Sequence, residues 1–306
     1  MSAGGSNKAI IAAFLANLGI SIAKFIAFLF TGATSMLAES VHSLADTGNQ
    51  ALLLLGGKRS KKTATPLHQF GFGRERYFWS FVVAIVLFTV GAMFAMYEGV
   101  HKIQHPEKLD SPQWAFGVLI VAIGLESYSF RTAIVEANRV RGKASWSHFI
   151  RRSKAPELPV VLLEDFGALI GLVLALSAVS LTVVTGNPVW DGYGTLSIGL
   201  LLFVIAIVLA IEMKSLLIGE AAAPEDEAAI KAAIETSTTA ESLIHLRTEH
   251  IGPDEVLVVA KVAFPADMRL REIAAAVDEI EASIRVGVPE ATLVFIEPDI
   301  HRGPAV

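Results

Sequence analysis

The stretch AESVHSLADTGNQ, from Ala38 to Gln50, decides how the rest of the chain is interpreted, because it places ionisable and amide side chains inside an apolar run. An ionisable group near the centre of a membrane helix costs about 2.5–3.5 kcal/mol on insertion scales, so it normally faces a cavity or a partner and marks a functional site. Glu39, Asn49 and Gln50 are expected to face a cavity or to bind neighbouring helices. The stretch therefore predicts a membrane protein with a buried polar site.

Composition supports a membrane protein. Hydrophobic residues make up 53% of the 306 residues and charged residues only 18%, which is too apolar for an ordinary soluble domain of this length. The formal net charge of -5 argues against a nucleic-acid partner, because a phosphate-binding surface needs a basic excess. The chain has no cysteine, so only oxygen and imidazole groups remain as strong metal ligands.

Six apolar stretches are long enough to cross a lipid bilayer, whose hydrocarbon core of roughly 30 Å requires about 20 residues of helix. They cover residues 8–31, 34–57, 75–101, 112–137, 158–184 and 189–217. The first is too long for the apolar region of a cleaved signal peptide, so we expect it to remain as a span. The sequence thus predicts an all-α, six-helix membrane bundle within residues 1–218.

Lysine and arginine predict the orientation of these spans. The segments after the second and fourth spans are basic, whereas the other connections are uncharged or mixed. The basic residues are Lys58, Arg59, Lys61, Lys62, Arg74 and Arg76 in the first segment, and Arg139, Arg141, Lys143, Arg151, Arg152 and Lys154 in the second. Basic loops stay in the cytoplasm, so we expect both termini there, and short basic loops without a transit-like N-terminus favour a bacterial inner membrane.

After Gly219 the pattern changes to that of a small α+β domain. EDEAAIKAAIETS and RLREIAAAVDEIEASIRVG have helical periodicity, while LIHLRTEHIG, EVLVVAKVAF and ATLVFIEPDI are typical of strands. The order helix, two strands, helix, strand predicts a domain over residues 219–306 that is large enough to have a core of its own. We expect this domain in the cytoplasm.

Two of the expected spans carry side chains that could bind a metal ion. His42 and Asp46 are four residues apart, so a helix places both on one face. Glu164 and Asp165 lie within the fifth span, and the two helices could bring these groups together. Imidazole with carboxylates suits zinc, whereas carboxylates with water suit manganese or magnesium. Because such ligands lose protons before they bind a metal, the pattern indicates a proton-coupled antiporter.

Several segments resemble the cation diffusion facilitator family of divalent-metal transporters. TGATSMLAESVHSLADTGNQ resembles the second helix of that family, HQFGFGRER the loop before its third helix, and DGYGTLSIGLLLFVIAIVLAIEMKSLLIGEA its sixth helix. With six spans and a C-terminal domain, the likeness covers nearly the whole chain. LLEDFGALIGL is most similar to the branch that contains the ninth animal zinc transporter.

The resemblance implies a homodimeric exporter that moves divalent metal out of the cytoplasm in exchange for protons and has a ferredoxin-like cytoplasmic domain. Family transport sites take two ligands from the second helix and two from the fifth, which His42, Asp46 and Asp165 match. Val161 stands where the family has a histidine. Glu164 lies about 60° around the helix from Val161, and its longer side chain makes it the first candidate for the missing ligand.

The remaining candidate ligands are fewer than the family pattern implies. Glu126 on the fourth span and Asn17 on the first compete with Glu164 for the fourth position. Only His68 remains of the metal ligands in the loop after the second helix, and Ala260 replaces a histidine of the cytoplasmic domain. We expect no tightly bound metal at either place and no prosthetic group. Zinc is the expected cargo, with manganese, iron, cobalt and cadmium left open.

Two functions of other classes are alternatives. An intramembrane metalloenzyme would need an open metal position beside a general base, for which Glu39 or Glu164 could serve, although the chain has no HExxH pattern. A metal sensor without transport would need ligands in the C-terminal domain, where they are scarce. Transport of a divalent metal across the bilayer is therefore the expected function.

Overall fold

The computed structural model describes residues 3–31, 34–106 and 112–301, without the side chains of residues 3–6, 27, 28, 30, 31, 34–39, 41 and 42. The chain divides into two units. One is formed by Met1–Lys61 and Glu75–Lys214, and the other by Lys62–Arg74 and Ser215–Val306. The C-terminal unit therefore begins slightly earlier than residue 219, and it includes the loop that follows the second helix.

The first unit is built from long helices. They are α1 (Ala3–Thr31), α2 (Thr34–Arg59), α3 (Glu75–Val86), a π-helical segment (Leu87–Met93), α4 (Phe94–Gln104), α5 (Pro112–Arg141), the short α6 (Trp146–Arg152), α7 (Glu157–Thr185) and α8 (Val189–Ile218). Helix α1 packs against α2, α5 and α7, while α5 also packs against α7 and α2 against α3. These contacts bring the helices with the predicted site residues to a common interior.

Five helical segments in the described part of the chain are long and apolar enough to cross a membrane. They are Asn7–Ile26, Glu75–Gln104, Pro112–Arg141, Glu157–Thr185 and Val189–Ile218. The stretch expected as the second span forms α2 but is not among the five. Polar residues between Thr34 and Gln50 interrupt the apolar sequence of α2, and some side chains of this helix lie outside the described residues. The count of six spans therefore remains a prediction.

Two elements of the helical unit are not apparent from the sequence pattern. The π-helical segment lies within the predicted span 75–101 and is itself mostly apolar, so hydrophobic periodicity gives no sign of it. Helix α6 begins after Ser145, whose hydroxyl accepts a hydrogen bond from the backbone N–H of His148 at 3.2 Å. Such an N-cap satisfies one of the free donors of the first turn and allows a short helix to form in a basic loop.

Helices α4 and α8 approach each other at backbone distance. A Cβ atom at Gly99 would lie 2.5 Å from the backbone nitrogen of Leu196, and one at Gly199 would lie 2.7 Å from the backbone nitrogen of Met96. Both distances are shorter than a van der Waals contact, so a larger residue would force the helices apart. Small residues commonly permit this close packing between membrane helices.

The second unit has the order helix, two strands, helix, strand expected from the sequence. Its elements are α9 (Pro224–Glu235), β1 (Ser242–Gly252), β2 (Glu255–Ala263), α10 (Leu270–Gly287) and β3 (Leu293–Asp299). The strands form a three-stranded sheet in the order β1-β2-β3. Strands β1 and β2 are antiparallel, and β2 and β3 are parallel because α10 crosses over between them.

Alternate residues of the central strand β2 face the helices and form the core of this unit. The buried residues of the cluster include Val256, Val258, Ala260 and Val262 of β2, Ile230 and Ile234 of α9, and Ala276, Ile280 and Ile284 of α10. Each fully buried aliphatic side chain of this size contributes about 1.5–3 kcal/mol relative to an exposed one. The unit therefore has a hydrophobic core of its own.

A buried ion pair joins α3 to α7. The guanidinium group of Arg76 donates to both carboxylate oxygens of Glu157, with 2.9 Å between Nη2 and Oε2 and a shorter contact between Nε and Oε1. The side chains are only 10% and 4% exposed. Arg76 is counted above among the basic residues after the second span and is also the second residue of the predicted span 75–101. In the structure it lies within α3 and neutralises a buried acid. The bidentate geometry makes the pair stronger than an ordinary ion pair.

Removal of Arg76 should destabilise the helical unit. The Arg76→Met variant leaves the carboxylate of Glu157 buried without its counter-ion, which typically lowers the free energy of unfolding by about 3–5 kcal/mol. The double variant Arg76→Met with Glu157→Leu should recover most of the loss, because an apolar pair of similar size needs no compensation. Thermal unfolding of the detergent-solubilised protein measures both effects.

The Lys102→Met variant is the matched control for this experiment. Lys102 pairs with Asp191 at 2.9 Å, but its side chain is 32% exposed, so its loss should change stability by only about 0–1 kcal/mol. Equal unfolding temperatures for Arg76→Met and Lys102→Met would contradict the assigned importance of the buried pair.

Candidate metal site

Helix α7 carries two adjacent carboxylates into the interior of the helical unit. Asp165 is fully buried, and Glu164 is 5% exposed. Their neighbours Val160, Val161 and Leu162 are buried as well, so this part of the helix is apolar apart from the two acids. A carboxylate in such surroundings needs hydrogen bonds or a cation to offset the loss of hydration.

Asp165 receives a hydrogen bond from α5. The hydroxyl of Ser129 donates to Oδ2 of Asp165 at 2.7 Å, and Ser129 is fully buried. The other carboxylate oxygen, Oδ1, is buried and has no hydrogen-bond partner among the described residues. Buried polar atoms are normally paired, so Oδ1 is an acceptor that a bound cation could use.

Glu164 is held by two carboxamide side chains of α2. Nδ2 of Asn49 donates to Oε1 of Glu164, and Nε2 of Gln50 donates to Oε2, both at 2.8 Å. Oε1 of Gln50 in turn accepts from Nδ2 of Asn17 at 3.4 Å, which extends the network to α1. Hydrogen bonds of this kind fix the orientation of a carboxylate, and they leave further lone pairs on both oxygens.

Asp46 lines a recess between α2 and the π-helical segment. The recess is lined by Ala45, Asp46, Asn49, Val86, Leu87, Val90 and Gly91. Its polar groups come from α2, while the facing wall is apolar. π-Helical turns within α-helices are rare and are often found at functional sites.

Glu126 of α5 is a further acid in the same interior. It is 1% exposed, and its Oε1 atom has no hydrogen-bond partner among the described residues. It interacts electrostatically with the acids Asp165, Asp46 and Glu164 and with the ammonium group of Lys24. Carboxylates from α2, α5 and α7 thus lie within electrostatic range of one another, which is unfavourable without a cation.

Helices α1 and α2 are joined by buried polar side chains beside this acidic region. Ser21 and Ser40 each donate their hydroxyl to the backbone carbonyl of the other at 2.9 Å. Nζ of Lys24 donates to Oγ of Ser43 at 3.0 Å, and Lys24 is 6% exposed. The positive charge of Lys24 favours the ionised form of Glu126 and so offsets part of its repulsion from the other acids.

The predicted ligands are only partly brought together in this conformation. His42 belongs to α2, one turn before Asp46, but its side chain lies outside the described residues. Among the side chains that the structure describes, no three His, Asp or Glu residues are close enough to hold one metal ion. Asp165 and Glu164 both lie on α7, but Asp165 is hydrogen-bonded to α5 and Glu164 to α2.

In the C-terminal unit, Lys261 follows Ala260 on β2 and forms ion pairs with two acids of β3. Nζ of Lys261 lies 2.9 Å from Oε1 of Glu297 and 2.9 Å from Oδ2 of Asp299. Hydrogen bonds to Asp299 and to Glu297 raise the pKa of the Lys261 ammonium group above its usual value, so this group is charged at neutral pH. The ammonium group therefore occupies the place beside these acids that a metal ion would need.

Buried acids on separate apolar helices, followed by a small α+β unit, are the features of a cation efflux protein. Residues 10–218 match the family model of the cation efflux transmembrane domain, and the chain belongs to this family.

Individual proteins of known name are similar to most of this chain. The chain is 32% identical over 262 residues to the mitochondrial proton-coupled zinc antiporter SLC30A9 of Homo sapiens, an alignment that covers 85% of this chain and 46% of that protein. It is 34% identical over 263 residues to the Xenopus laevis protein of the same name, covering 85% and 47%. Magnetosome protein MamB of Magnetospira sp. is 25% identical over 297 residues, covering 95% and 92%. The chain spans about half the length of the zinc antiporters that it matches, and the expected branch of the family is confirmed.

Ser129 is a candidate site residue that the sequence pattern does not indicate. A serine in a membrane helix commonly bonds its own backbone, as Ser177 does with the carbonyl of Val173 at 2.8 Å. Only the packing of α5 against α7 distinguishes the two serines. Asn49 and Gln50, by contrast, stand out in the sequence, because amides inside an apolar stretch require a partner.

Replacement of Ser129 should weaken metal binding through Asp165. Ser129→Ala removes the donor that orients the Asp165 carboxylate, and loss of such a supporting hydrogen bond typically lowers metal affinity by about 10–100-fold. Titration of the purified protein with zinc measures the effect. Ser177→Ala is the matched control, since it removes the same hydroxyl from an exposed position of α7. Equal zinc affinity in both variants would contradict the role of Ser129.

Proposed function

We propose that the chain is a secondary transporter that exports divalent metal cations from the cytoplasm in exchange for protons. The observation that carries this proposal is the set of buried carboxylates of α5 and α7, inside helices long and apolar enough to cross a membrane. On Glu126 and on Asp165, one carboxylate oxygen has no hydrogen-bond partner among the described residues. Buried acids of this kind mark ion and proton pathways. The names of the SLC30A9 relatives, which describe proton-coupled zinc antiporters, support the same assignment.

Zinc is the proposed cargo, bound by His42, Asp46, Asp165 and Glu164. One imidazole with carboxylates suits zinc, and manganese, iron, cobalt and cadmium are also compatible with these donors. The hydrogen bonds from Asn49 and Gln50 to Glu164 support its assignment as the fourth ligand, since the carboxylate ligands of metals are commonly oriented in this way.

Exchange for protons follows from the chemistry of these ligands. A carboxylate or imidazole must be deprotonated to bind the metal, so protons that arrive from outside compete with the bound cation and release it. Two arrangements of the bundle would expose the site alternately to the cytoplasm and to the exterior. His42 is the ligand expected to titrate nearest to neutral pH, because an imidazole has an unperturbed pKa of about 6.5.

The proposal extends to the organisation of the protein in the membrane. Residues 1–218 form a six-helix transmembrane domain and residues 219–306 a ferredoxin-like cytoplasmic domain, with both termini in the cytoplasm of a bacterial cell. The protein acts as a homodimer. The three-stranded sheet supports this assembly, because the apolar side chains of Val259 and Phe295 pair across β2 and β3 on its exposed face.

Transport can be tested in proteoliposomes. Vesicles that contain the protein and a metal-sensitive dye should take up zinc when a pH gradient is imposed, at a rate well above that of lipid-only vesicles.

Asp165→Asn should lower the rate of zinc uptake by about 10–100-fold, because the amide cannot carry the charge that binds the metal. Asp191→Asn is the matched control, since Asp191 is partly exposed and paired with Lys102. A rate equal to lipid-only leakage in the wild-type protein would refute transport, and a normal rate in Asp165→Asn would refute the site.

The fourth ligand can be identified by comparing three alanine variants. If Glu164 binds the metal, Glu164→Ala should reduce zinc affinity by about 10–100-fold, whereas Glu126→Ala and Asn17→Ala should have smaller effects. Isothermal titration of each purified variant measures the affinities, and circular dichroism checks that helical content is unchanged. A Glu164→Ala protein with wild-type affinity would transfer the assignment to whichever of the other two variants is impaired.

A further inference from the structure

Asn49 donates a hydrogen bond to Glu164, with 2.8 Å between Nδ2 of Asn49 and Oε1 of Glu164. Glu164 must be ionised to bind a metal, and an ionised carboxylate can only accept hydrogen bonds. In the metal-binding form of the site, Asn49 therefore presents its nitrogen to Glu164, and its carbonyl oxygen faces away.

The carbonyl oxygen of Asn49 is an unused acceptor in the interior of the bundle. Asn49 is 1% exposed, and its Oδ1 atom is buried without a hydrogen-bond partner among the described residues. An acceptor buried without a partner is unfavourable, because it has lost its hydrogen bonds to water and gained none in return. Such a group in a functional region indicates a ligand that binds there.

The position of Asn49 indicates what this ligand is. Asn49 and Asp46 are three residues apart, so they lie on the same face of α2, and both line the recess beside the π-helical segment. The facing wall consists of Val86, Leu87, Val90 and Gly91, whose side chains have no polar groups. Among the described residues that line the recess, only Asp46 and Asn49 have side-chain oxygens.

We infer that Asn49 is a further ligand of the transported metal, through its amide oxygen, and that it makes the site more favourable for hard cations such as manganese. This inference rests on the proposed function and adds a donor to the same site. Amide and carboxylate oxygens suit hard divalent ions, whereas imidazole suits zinc and softer ions. The hydrogen bond to Glu164 uses the amide nitrogen of Asn49, which leaves the amide oxygen available as the ligand.

Gln50 is the natural control within the same network. Both amides donate to Glu164 at 2.8 Å, so the loss of either one removes one hydrogen bond from the same carboxylate. The oxygen of Gln50, however, already accepts from Asn17. Effects that act through Glu164 should therefore appear in variants of both residues, while effects of direct ligation should appear only in variants of Asn49.

The test compares a hard and a soft metal on the full-length protein in detergent. The dissociation constants of manganese and cadmium are measured for the wild-type protein, Asn49→Leu and Gln50→Leu. Loss of a ligand oxygen should raise the constant for manganese about tenfold more than that for cadmium in Asn49→Leu. Gln50→Leu should raise both constants by the same factor. Asn49→Asp, which keeps an oxygen at this position, should restore the wild-type ratio even if both affinities are reduced.

An unchanged ratio in Asn49→Leu would overturn the inference, since a water molecule on Oδ1 or a purely structural role would affect both metals equally. A wild-type protein that binds cadmium but not manganese would also overturn it. A wild-type protein that binds and transports no divalent metal would refute the proposed function itself, so the two failures are distinguishable. Circular dichroism of Asn49→Asp gives a folded comparison if Asn49→Leu is unstable.

Discussion

A carboxylate buried among apolar helices must receive hydrogen bonds or a counter-ion from its neighbours, and this requirement organises the helical unit. Glu164 is bound by α2 and Asp165 by α5, although the two residues are adjacent on α7. The hydrogen bonds of these two acids therefore connect α7 to both α2 and α5. The residues that we propose as metal ligands thus also link the helices to one another.

The buried acids of α7 fall into two kinds. Glu157 has both oxygens neutralised by one guanidinium group, so it needs no further ligand and contributes to stability. Asp165 has one satisfied oxygen and one oxygen without a hydrogen-bond partner among the described residues, which is a poor arrangement for stability alone. The difference separates an acid with a structural role from one that we propose as a metal ligand, on the same helix and less than three turns apart.

The sequence predicts the elements of this protein better than their contacts. Apolar length locates the long helices, and alternation in EVLVVAKVAF correctly indicates a strand with one buried face. The polar residues of α2 and α7 are conspicuous, because each is out of place in an apolar stretch. The pairing of Asn49 and Gln50 with Glu164, across more than a hundred residues of chain, depends on helix packing that no local pattern encodes.

The π-helical segment and the ion pair of Arg76 are two further features that residue type alone does not predict. Leu87–Met93 has the same composition as an ordinary apolar helix, so the wider turn has no signature in residue type. Arg76 belongs to a run of basic residues that is typical of cytoplasmic loops, yet its guanidinium group is buried against Glu157. Charge counts describe a segment, whereas the role of one residue depends on what lies opposite it.

The close approach of α4 and α8 has a mechanical consequence. At Gly99 and Gly199 an added Cβ atom would lie only 2.5 Å and 2.7 Å from a backbone nitrogen of the opposite helix, so there is almost no space between the two backbones. Displacement of one helix toward the other at these points would bring main-chain atoms into collision. We therefore expect α4 and α8 to move as one body if the bundle rearranges.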